Sequence, residues 1–175
     1  MLTAGYILQD RFQINRVISR GFCSLIYEAQ DMIMSRKMVV KEFDPRGADT
    51  DIRVHLEKRF FNEPKMLASI NYPGFPRLFN VINEPEKKFF VTEYIEGKSL
   101  DTILKTEKIP LNLVLNYVHQ ILDMLSYLHR RKPSIIYGDL QPQHIVINSD
   151  KLYIVNMEKA FYPYETPVQS GYPGY

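Results

Sequence analysis

The sequence predicts an α+β fold with two parts, in which short strands come first and long helices follow. Up to about residue 95, five apolar and β-branched runs alternate with polar turns, and one helical segment interrupts them. From Ser99 onward the main pattern is helical. At 175 residues the chain suits one large domain or two small lobes. We therefore expect a strand-rich lobe at 1–95 and a mainly helical lobe at 96–175.

Five strands and one helix are expected in the first lobe. The helix should cover about residues 50–70, with Val54 and Leu67 facing inward. Pro64 lies within it, and a proline there should bend or interrupt the helix because it lacks the backbone N–H. The strands are expected at 12–18, 25–29, 36–43, 78–82 and 88–93.

The second lobe should contain two helices followed by two short strands. Ser99 is a good N-cap for a helix at 100–105, and Pro110 opens a long helix at about 111–131. Strands are expected at 145–147 and 152–155, and the Pro- and Tyr-rich tail after 161 has no period. The long helix carries an apolar stripe formed by Val114, Val118, Ile121, Leu125 and Leu128.

Composition excludes several classes of protein. The net charge is +2, from 22 basic and 20 acidic residues, which argues against a dedicated nucleic-acid-binding or membrane-surface protein. No apolar run approaches a membrane span, and the first residues carry no secretion signal. The single cysteine, Cys23, favours a reducing, cytoplasmic location. The four histidines lack zinc-ligand spacing.

Three ionisable residues stand in apolar surroundings or beside them. Lys41 lies inside an apolar strand, Glu63 lies on the first helix, and Asp139 lies in a loop between apolar runs. A small-residue turn, Ser19-Arg20-Gly21-Phe22-Cys23-Ser24, precedes them, and an apolar strand ends at Thr92-Glu93. This ordered set, from about Phe12 to the last residue, resembles a protein kinase catalytic domain of the bacterial serine/threonine type.

The resemblance implies a bilobal kinase-like fold, with a five-stranded first lobe, that binds ATP. Lys41 would hold the α- and β-phosphates and Glu63 would pair with it, which is expected physically because a buried lysine needs a partner. Asp139 would be the catalytic base. Gly21 and Ser24 match the loop that covers the phosphates, although serines stand where the family has two further glycines.

The same resemblance implies an adenine site. Ile26, Val39 and Val146 would sandwich the ring. Thr92 would be the gatekeeper, and the backbone of Glu93 and Ile95 would face the adenine edge.

The metal-binding positions depart from the family. His144 stands where an asparagine holds a metal ion, and Asn156 replaces the carboxylate of Asp-Phe-Gly. Magnesium favours carboxylates and histidine prefers softer ions, so affinity for Mg²⁺ or Mn²⁺ should fall sharply. Gly138 and Gln141 replace a basic residue each, and Glu158 replaces a glycine. The four apolar spine positions persist as Leu67, Leu78, Tyr137 and Met157.

These departures favour a pseudokinase, a kinase-like domain with impaired or absent catalysis and a regulatory or binding role. Retention of Lys41, Glu63 and Asp139 favours an alternative, an active serine/threonine kinase with atypical metal ligands. The Gly138-Asp139-Leu140 loop also resembles that of aminoglycoside- or choline-type kinases, a third hypothesis, and a non-kinase scaffold of the same fold is a fourth. The expected partners are ATP and a protein substrate or regulatory protein.

The end of the sequence, 169–175, resembles the end of an activation segment. Two interpretations stay open. The chain is a fragment of a longer protein, or it is a shortened remnant that needs a partner to cover its long helix.

Overall fold

The structure, a computed structural model, describes residues 1–21, 23–85 and 87–164. Its first part is a six-stranded antiparallel sheet in the order β1-β2-β3-β4-β6-β5. The five predicted strands are present, and a two-residue strand adds a sixth at one edge. The strands are β1 (Ile7–Leu8), β2 (Phe12–Arg20), β3 (Ser24–Asp31), β4 (Arg36–Phe43), β5 (Leu78–Asn83) and β6 (Lys88–Glu93).

Helix α1 (Thr50–Ser69) connects β4 to β5. Asp49 caps its first turn by accepting a hydrogen bond from the Ile52 N–H. The expected interruption at Pro64 is wrong, because the helix continues through this residue. Pro64 is buried together with its neighbours Glu63, Met66 and Leu67. Burial of this face outweighs the one hydrogen bond that proline removes. Val54, expected to face inward, is 49% exposed.

The second part contains two helices and a small sheet. Helix α2 is Leu100–Thr106 and helix α3 is Leu111–Arg130. Strands β7 (Lys98–Ser99), β8 (Ile145–Asn148) and β9 (Lys151–Ile154) form an antiparallel sheet in the order β7-β8-β9. The Ser99 side chain caps α2 as predicted, by accepting from the Thr102 N–H. A 3₁₀ turn at Pro142–His144 leads directly into β8.

Two large hydrophobic clusters stabilise the fold, and one of them joins the two parts. One lies within the six-stranded sheet and includes Phe12, Tyr27 and Phe89. The other joins the end of α1 to α3 and the small sheet. Leu67, Tyr137 and Met157 are buried in this second cluster, and Leu78 packs against it. The four predicted spine residues therefore belong to one hydrophobic cluster that extends from the first part into the second.

Helix α3 is only partly covered in the described residues. Its buried side chains are Tyr117, Met124 and Leu128. The predicted stripe is therefore partly wrong: Leu128 is buried, but Val114 and Val118 are 38% and 44% exposed. The helix carries apolar residues on more than one face, and periodicity does not say which face another element will cover.

Among the described residues, no helix is long and apolar enough to cross a membrane. The tail 169–175, interpreted above as the end of an activation segment, lies outside the described residues.

Candidate active site

A cleft of about 690 Å³ lies between the two sheets, and residues of both line it. Among the residues predicted to form the site, Glu63 is the only one that does not line the cleft, and it reaches the cleft through Lys41. The others come together on its walls: Gly21, Ser24, Ile26, Val39, Lys41, Thr92, Glu93, Ile95, Asp139, His144, Val146 and Asn156.

Lys41 and Glu63 form a buried ion pair at the back of the cleft. The Lys41 Nζ lies 2.6 Å and 2.8 Å from the two carboxylate oxygens of Glu63. Their side chains are only 7% and 4% exposed. The Glu63 Oε1 also accepts a hydrogen bond of 3.3 Å from the Met157 N–H. Three elements therefore meet at this carboxylate: β4, α1 and the segment after β9.

The residue before Glu63 makes a second link between α1 and that segment. The side-chain amide of Asn62 donates to the carbonyl of Ala160. Two successive residues of α1 thus hold the chain that follows β9.

Apolar side chains form the cleft walls where β3, β4 and β8 face each other. Ile26 and Val39 come from the six-stranded sheet, and Val146 comes from the small sheet. Thr92 is buried at the end of β6, opposite Val39 in the antiparallel register. The Glu93 N–H already donates to the Arg77 carbonyl at 2.8 Å, so this N–H is not available to a ligand.

Gly97 lies in the connection between the two parts and packs against β8. Its φ is +142°, a backbone conformation that residues with a side chain rarely adopt. A Cβ at this position would collide with the Ile147 carbonyl. Glycine is therefore required here for the connection to lie against β8.

The turn between β2 and β3 closes the top of the cleft. The Gly21 N–H donates to the Ser24 carbonyl at 2.8 Å. Cys23 is fully buried, and its thiol lies 3.8 Å from the Glu158 Oε1. Burial, followed by the charge of Glu158, raises the pKa of the Cys23 thiol to about 12. Glu158 also pairs with Arg59 of α1 at 3.3 Å.

Asp139 lies on the cleft floor with both carboxylate oxygens near donors. Its Oδ1 accepts from the Gln141 Nε2 at 2.6 Å and from the Lys159 Nζ at 3.0 Å. Its Oδ2 is 3.5 Å from the His144 Nδ1. The side chain is 12% exposed. The aspartate is thus fixed in position by residues of its own chain.

The two predicted metal positions bind each other. The amide nitrogen of Asn156 lies 3.1 Å from the His144 Nε2, and the His144 Nδ1 lies 3.1 Å from the Asp139 carbonyl. An amide nitrogen can only donate and a carbonyl can only accept, so Nε2 is the acceptor and Nδ1 carries the proton. The side-chain oxygen of Asn156, Oδ1, in turn accepts from the Glu158 N–H at 3.2 Å.

These residues do not fit a Mg²⁺ or Mn²⁺ site of the kinase type. The Nε2 lone pair that a metal would need already accepts a hydrogen bond from Asn156. Neither His144 nor Asn156 offers the anionic oxygen that a hard cation prefers. Within the described ranges, no group of three His, Cys, Asp or Glu side chains is placed to hold a metal ion.

Sequence reasoning missed two cationic residues of the cleft. Arg59 and Lys159 both line it, and each pairs with an acidic residue of the cleft. Lys159 could have been found from its position directly after Glu158, because these two charged residues follow an apolar strand. Arg59 lies one turn before Glu63 on α1, which places it towards the same cleft.

Comparison with known proteins decides the family. A family model described as "Protein kinase domain" matches residues 12–157. The chain belongs to the protein kinase family.

Similar kinases include bacterial serine/threonine enzymes. The "Serine/threonine-protein kinase PknD" of Chlamydia pneumoniae is 28% identical over 150 residues, covering 79% of this chain and 16% of that protein. The "Probable serine/threonine-protein kinase YbdM" of Bacillus subtilis is 27% identical over 158 residues, covering 89% of this chain and 59% of that protein. The chain thus spans less than two thirds of the length of each of these curated relatives.

A solved structure confirms the predicted α+β, two-lobed kinase fold. The structure "PpkA-294 apo form" superposes with a TM-score of 0.79 at 17% sequence identity. It covers 91% of this chain and 63% of the other. At this identity the likeness concerns the fold alone.

Proposed function

We propose that this chain is an ATP-binding serine/threonine-kinase-like domain in which phosphoryl transfer is impaired or absent. In this proposal it is a pseudokinase with a binding or regulatory role toward another protein, and its lobes divide near residue 95. The observation that carries the proposal is the 3.1 Å hydrogen bond between His144 and Asn156. Through this bond, the side chains at the two metal positions bind each other instead of a metal ion.

ATP binding is supported by the cleft itself. An adenine ring would lie between Ile26 and Val39 on one side and Val146 on the other, with backbone contacts to Glu93 and Ile95. These apolar walls suit a flat aromatic base. Lys41, held by Glu63, would bind the phosphates. Bound ATP would supply the phosphoryl group that active kinases transfer.

The surroundings of Asp139 support weakened catalysis. A catalytic base must accept the proton of the attacking hydroxyl, or orient it, through a free carboxylate oxygen. Here Oδ1 already accepts two hydrogen bonds, from Gln141 and Lys159. Only Oδ2, which lies 3.5 Å from the His144 Nδ1, is left to accept from a substrate hydroxyl.

One observation favours a second candidate, an active kinase with atypical metal ligands. The Lys41–Glu63 pair is buried and closely bonded at 2.6 Å, and Asp139 lies in the same cleft. This is the arrangement that transfer requires of those three residues. The single buried thiol of Cys23 suits either candidate in a reducing cytoplasm.

A transfer assay separates the two candidates. The 175-residue chain is incubated with labelled ATP and either Mg²⁺ or Mn²⁺, with a general protein substrate, beside the Asp139→Ala variant. We expect no label transfer above that of Asp139→Ala. Turnover that Asp139→Ala abolishes would overturn the pseudokinase proposal. Binding of ATP is measured in parallel by thermal shift, and absence of any shift would overturn the nucleotide site.

A further inference from the structure

Lys159 carries a positive charge to the floor of the cleft, next to the positions where the family holds its metal. It lies three residues after Asn156, lines the cleft, and its Nζ is 3.0 Å from the Asp139 Oδ1. Its side chain is 45% exposed. The ammonium group can therefore be reached by a ligand in the cleft.

The backbone of Lys159 is held firmly against the Asp139 loop. The Ile136 N–H donates to the Phe161 carbonyl and the Phe161 N–H donates to the Ile136 carbonyl, both at 2.9 Å. Between these bonds, Gly138 has a φ of +75° and leaves room for the Lys159 carbonyl. The ammonium is thus attached by a flexible stem to a fixed point beside Asp139.

Lys159 differs from the other ion-paired cations of the cleft. Lys41 is 7% exposed and bonded to both oxygens of Glu63, and Arg59 is 16% exposed and paired with Glu158. Lys159 alone of these three keeps a large exposed fraction. Asp139 also accepts a hydrogen bond from Gln141, so the exposed Lys159 side chain can turn to another anion while the aspartate stays bonded.

We propose that Lys159 binds the phosphates of the nucleotide and supplies the countercharge that a divalent cation supplies in other kinases. Nucleotide binding would then not require a divalent cation. This inference rests on the proposed ATP site. The chemistry is that of a lysine ammonium, which is a compact point charge with three donors and binds phosphate oxygens well.

The test measures nucleotide affinity in the 175-residue chain with and without divalent cations. ATP and adenosine are titrated by calorimetry in EDTA and in Mg²⁺. The proteins are the wild type, Lys159→Gln, Lys159→Arg and Lys151→Gln. Lys151 is exposed at the start of β9 and does not line the cleft, so it controls for the loss of one charge.

We expect wild type to bind ATP in EDTA about as tightly as in Mg²⁺. Lys159→Gln should weaken ATP binding in EDTA by about 10- to 100-fold, the range for losing one charge-assisted hydrogen bond. Lys159→Arg and Lys151→Gln should stay within about threefold of wild type on the same scale. Adenosine, which has no phosphate, should bind wild type and Lys159→Gln equally and so report an intact fold.

The remaining outcomes separate this inference from the proposed function. ATP binding that disappears in EDTA, or that is the same in Lys159→Gln and wild type, overturns the role of Lys159 and leaves the nucleotide site in place. A folded wild type that binds neither ATP nor adenosine under any condition overturns the nucleotide site, and the role of Lys159 with it.

Discussion

The Lys159 carbonyl lies 2.7 Å from the point that a Cβ on residue 138 would occupy, so only glycine at Gly138 allows the two segments to meet. We expect Gly138→Ala to lower the free energy of unfolding by more than about 2 kcal/mol. A left-handed backbone costs roughly 1–2 kcal/mol for any residue with a side chain, and the contact adds to it. Urea denaturation measures the loss.

Gly47→Ala is the matched control for this prediction. Gly47 also has a positive φ, +72°, but nothing lies within 4 Å of its missing Cβ. It should lose only about 1–2 kcal/mol for the backbone conformation. Equal losses in the two variants would show that the approach of Lys159 to Gly138 has no energetic weight.

Removing Lys41 should destabilise the fold through its partner. Lys41→Met leaves the Glu63 carboxylate, whose side chain is 4% exposed, without a countercharge. The expected loss is about 3–5 kcal/mol. The double variant Lys41→Met/Glu63→Gln should recover most of it, because glutamine is neutral and can still accept from the Met157 N–H. Chemical denaturation of wild type, Lys41→Met, Glu63→Gln and the double variant gives the cycle.

An exposed ion pair serves as the reference for that cycle. Lys105 is 72% exposed and pairs with Asp101 at 2.9 Å on α2. Lys105→Met should change stability by less than about 0.5 kcal/mol. If Lys41→Met proved as mild as Lys105→Met, burial of the Lys41–Glu63 pair would be disproved as a source of stability.

Acid should weaken the fold through Asp31. Its side chain has no exposed surface, and the hydrogen bond from Arg11 holds its pKa below the usual value. A carboxylate with a lowered pKa stabilises the fold above its unfolded pKa of about 3.9, and that stability is lost as pH falls further. Urea midpoints measured from pH 7 down to pH 3 should therefore drop most below about pH 4.

The Asp31→Asn variant identifies the group responsible. It should be less stable than wild type at pH 7, and the difference should shrink as the pH falls below about 4. Asp150→Asn, in an exposed turn, removes the same charge. It therefore distinguishes the effect of losing the Arg11–Asp31 pair from the effect of a change in net charge. A difference between Asp31→Asn and wild type that stays constant down to pH 3 would contradict the assignment.

Restoring the family's metal ligands should restore metal dependence. His144→Asn together with Asn156→Asp breaks the hydrogen bond between the two side chains and adds one carboxylate. Oxygen ligands of this kind suit Mg²⁺. We expect Mg²⁺ to strengthen ATP binding by at least about tenfold in the double variant, as measured by calorimetry, and to leave wild type nearly unchanged.

Asn148→Asp adds the same charge outside the cleft, at an exposed position of β8. Mg²⁺ should leave the ATP affinity of this variant nearly unchanged, as it does in wild type. A double variant that ignores Mg²⁺ would mean that positions 144 and 156 do not hold a metal in this fold.

Sequence reasoning placed the parts of the site that depend on local pattern. Lys41 stood out because a lysine inside an apolar strand needs a buried partner, and the structure gives it Glu63. The apolar walls followed from the strands that carry Ile26, Val39 and Val146. The position of each of these residues is determined by the strand or helix in which it lies.

Contacts between distant segments could not be predicted in the same way. Lys159 meets Asp139 only because the chain after β9 folds back onto the residues before the loop, 20 positions earlier. The hydrogen bond of His144 and Asn156 depends instead on the β8–β9 hairpin, whose register places the two residues beside each other. Pro64 was misjudged because local propensity opposed a helix that burial maintains.

Because the Glu63 carboxylate binds the Met157 N–H, hydrogen exchange at this amide reports the position of helix α1. Its Oε1 serves both the Lys41 ammonium and the Met157 N–H, while Asn62 holds the carbonyl of Ala160. If α1 moves outward, both links to the segment after β9 break together and the Met157 amide becomes open to solvent. The exchange rate of that one proton thus reports whether nucleotide in the cleft or a protein bound to the helix has displaced α1.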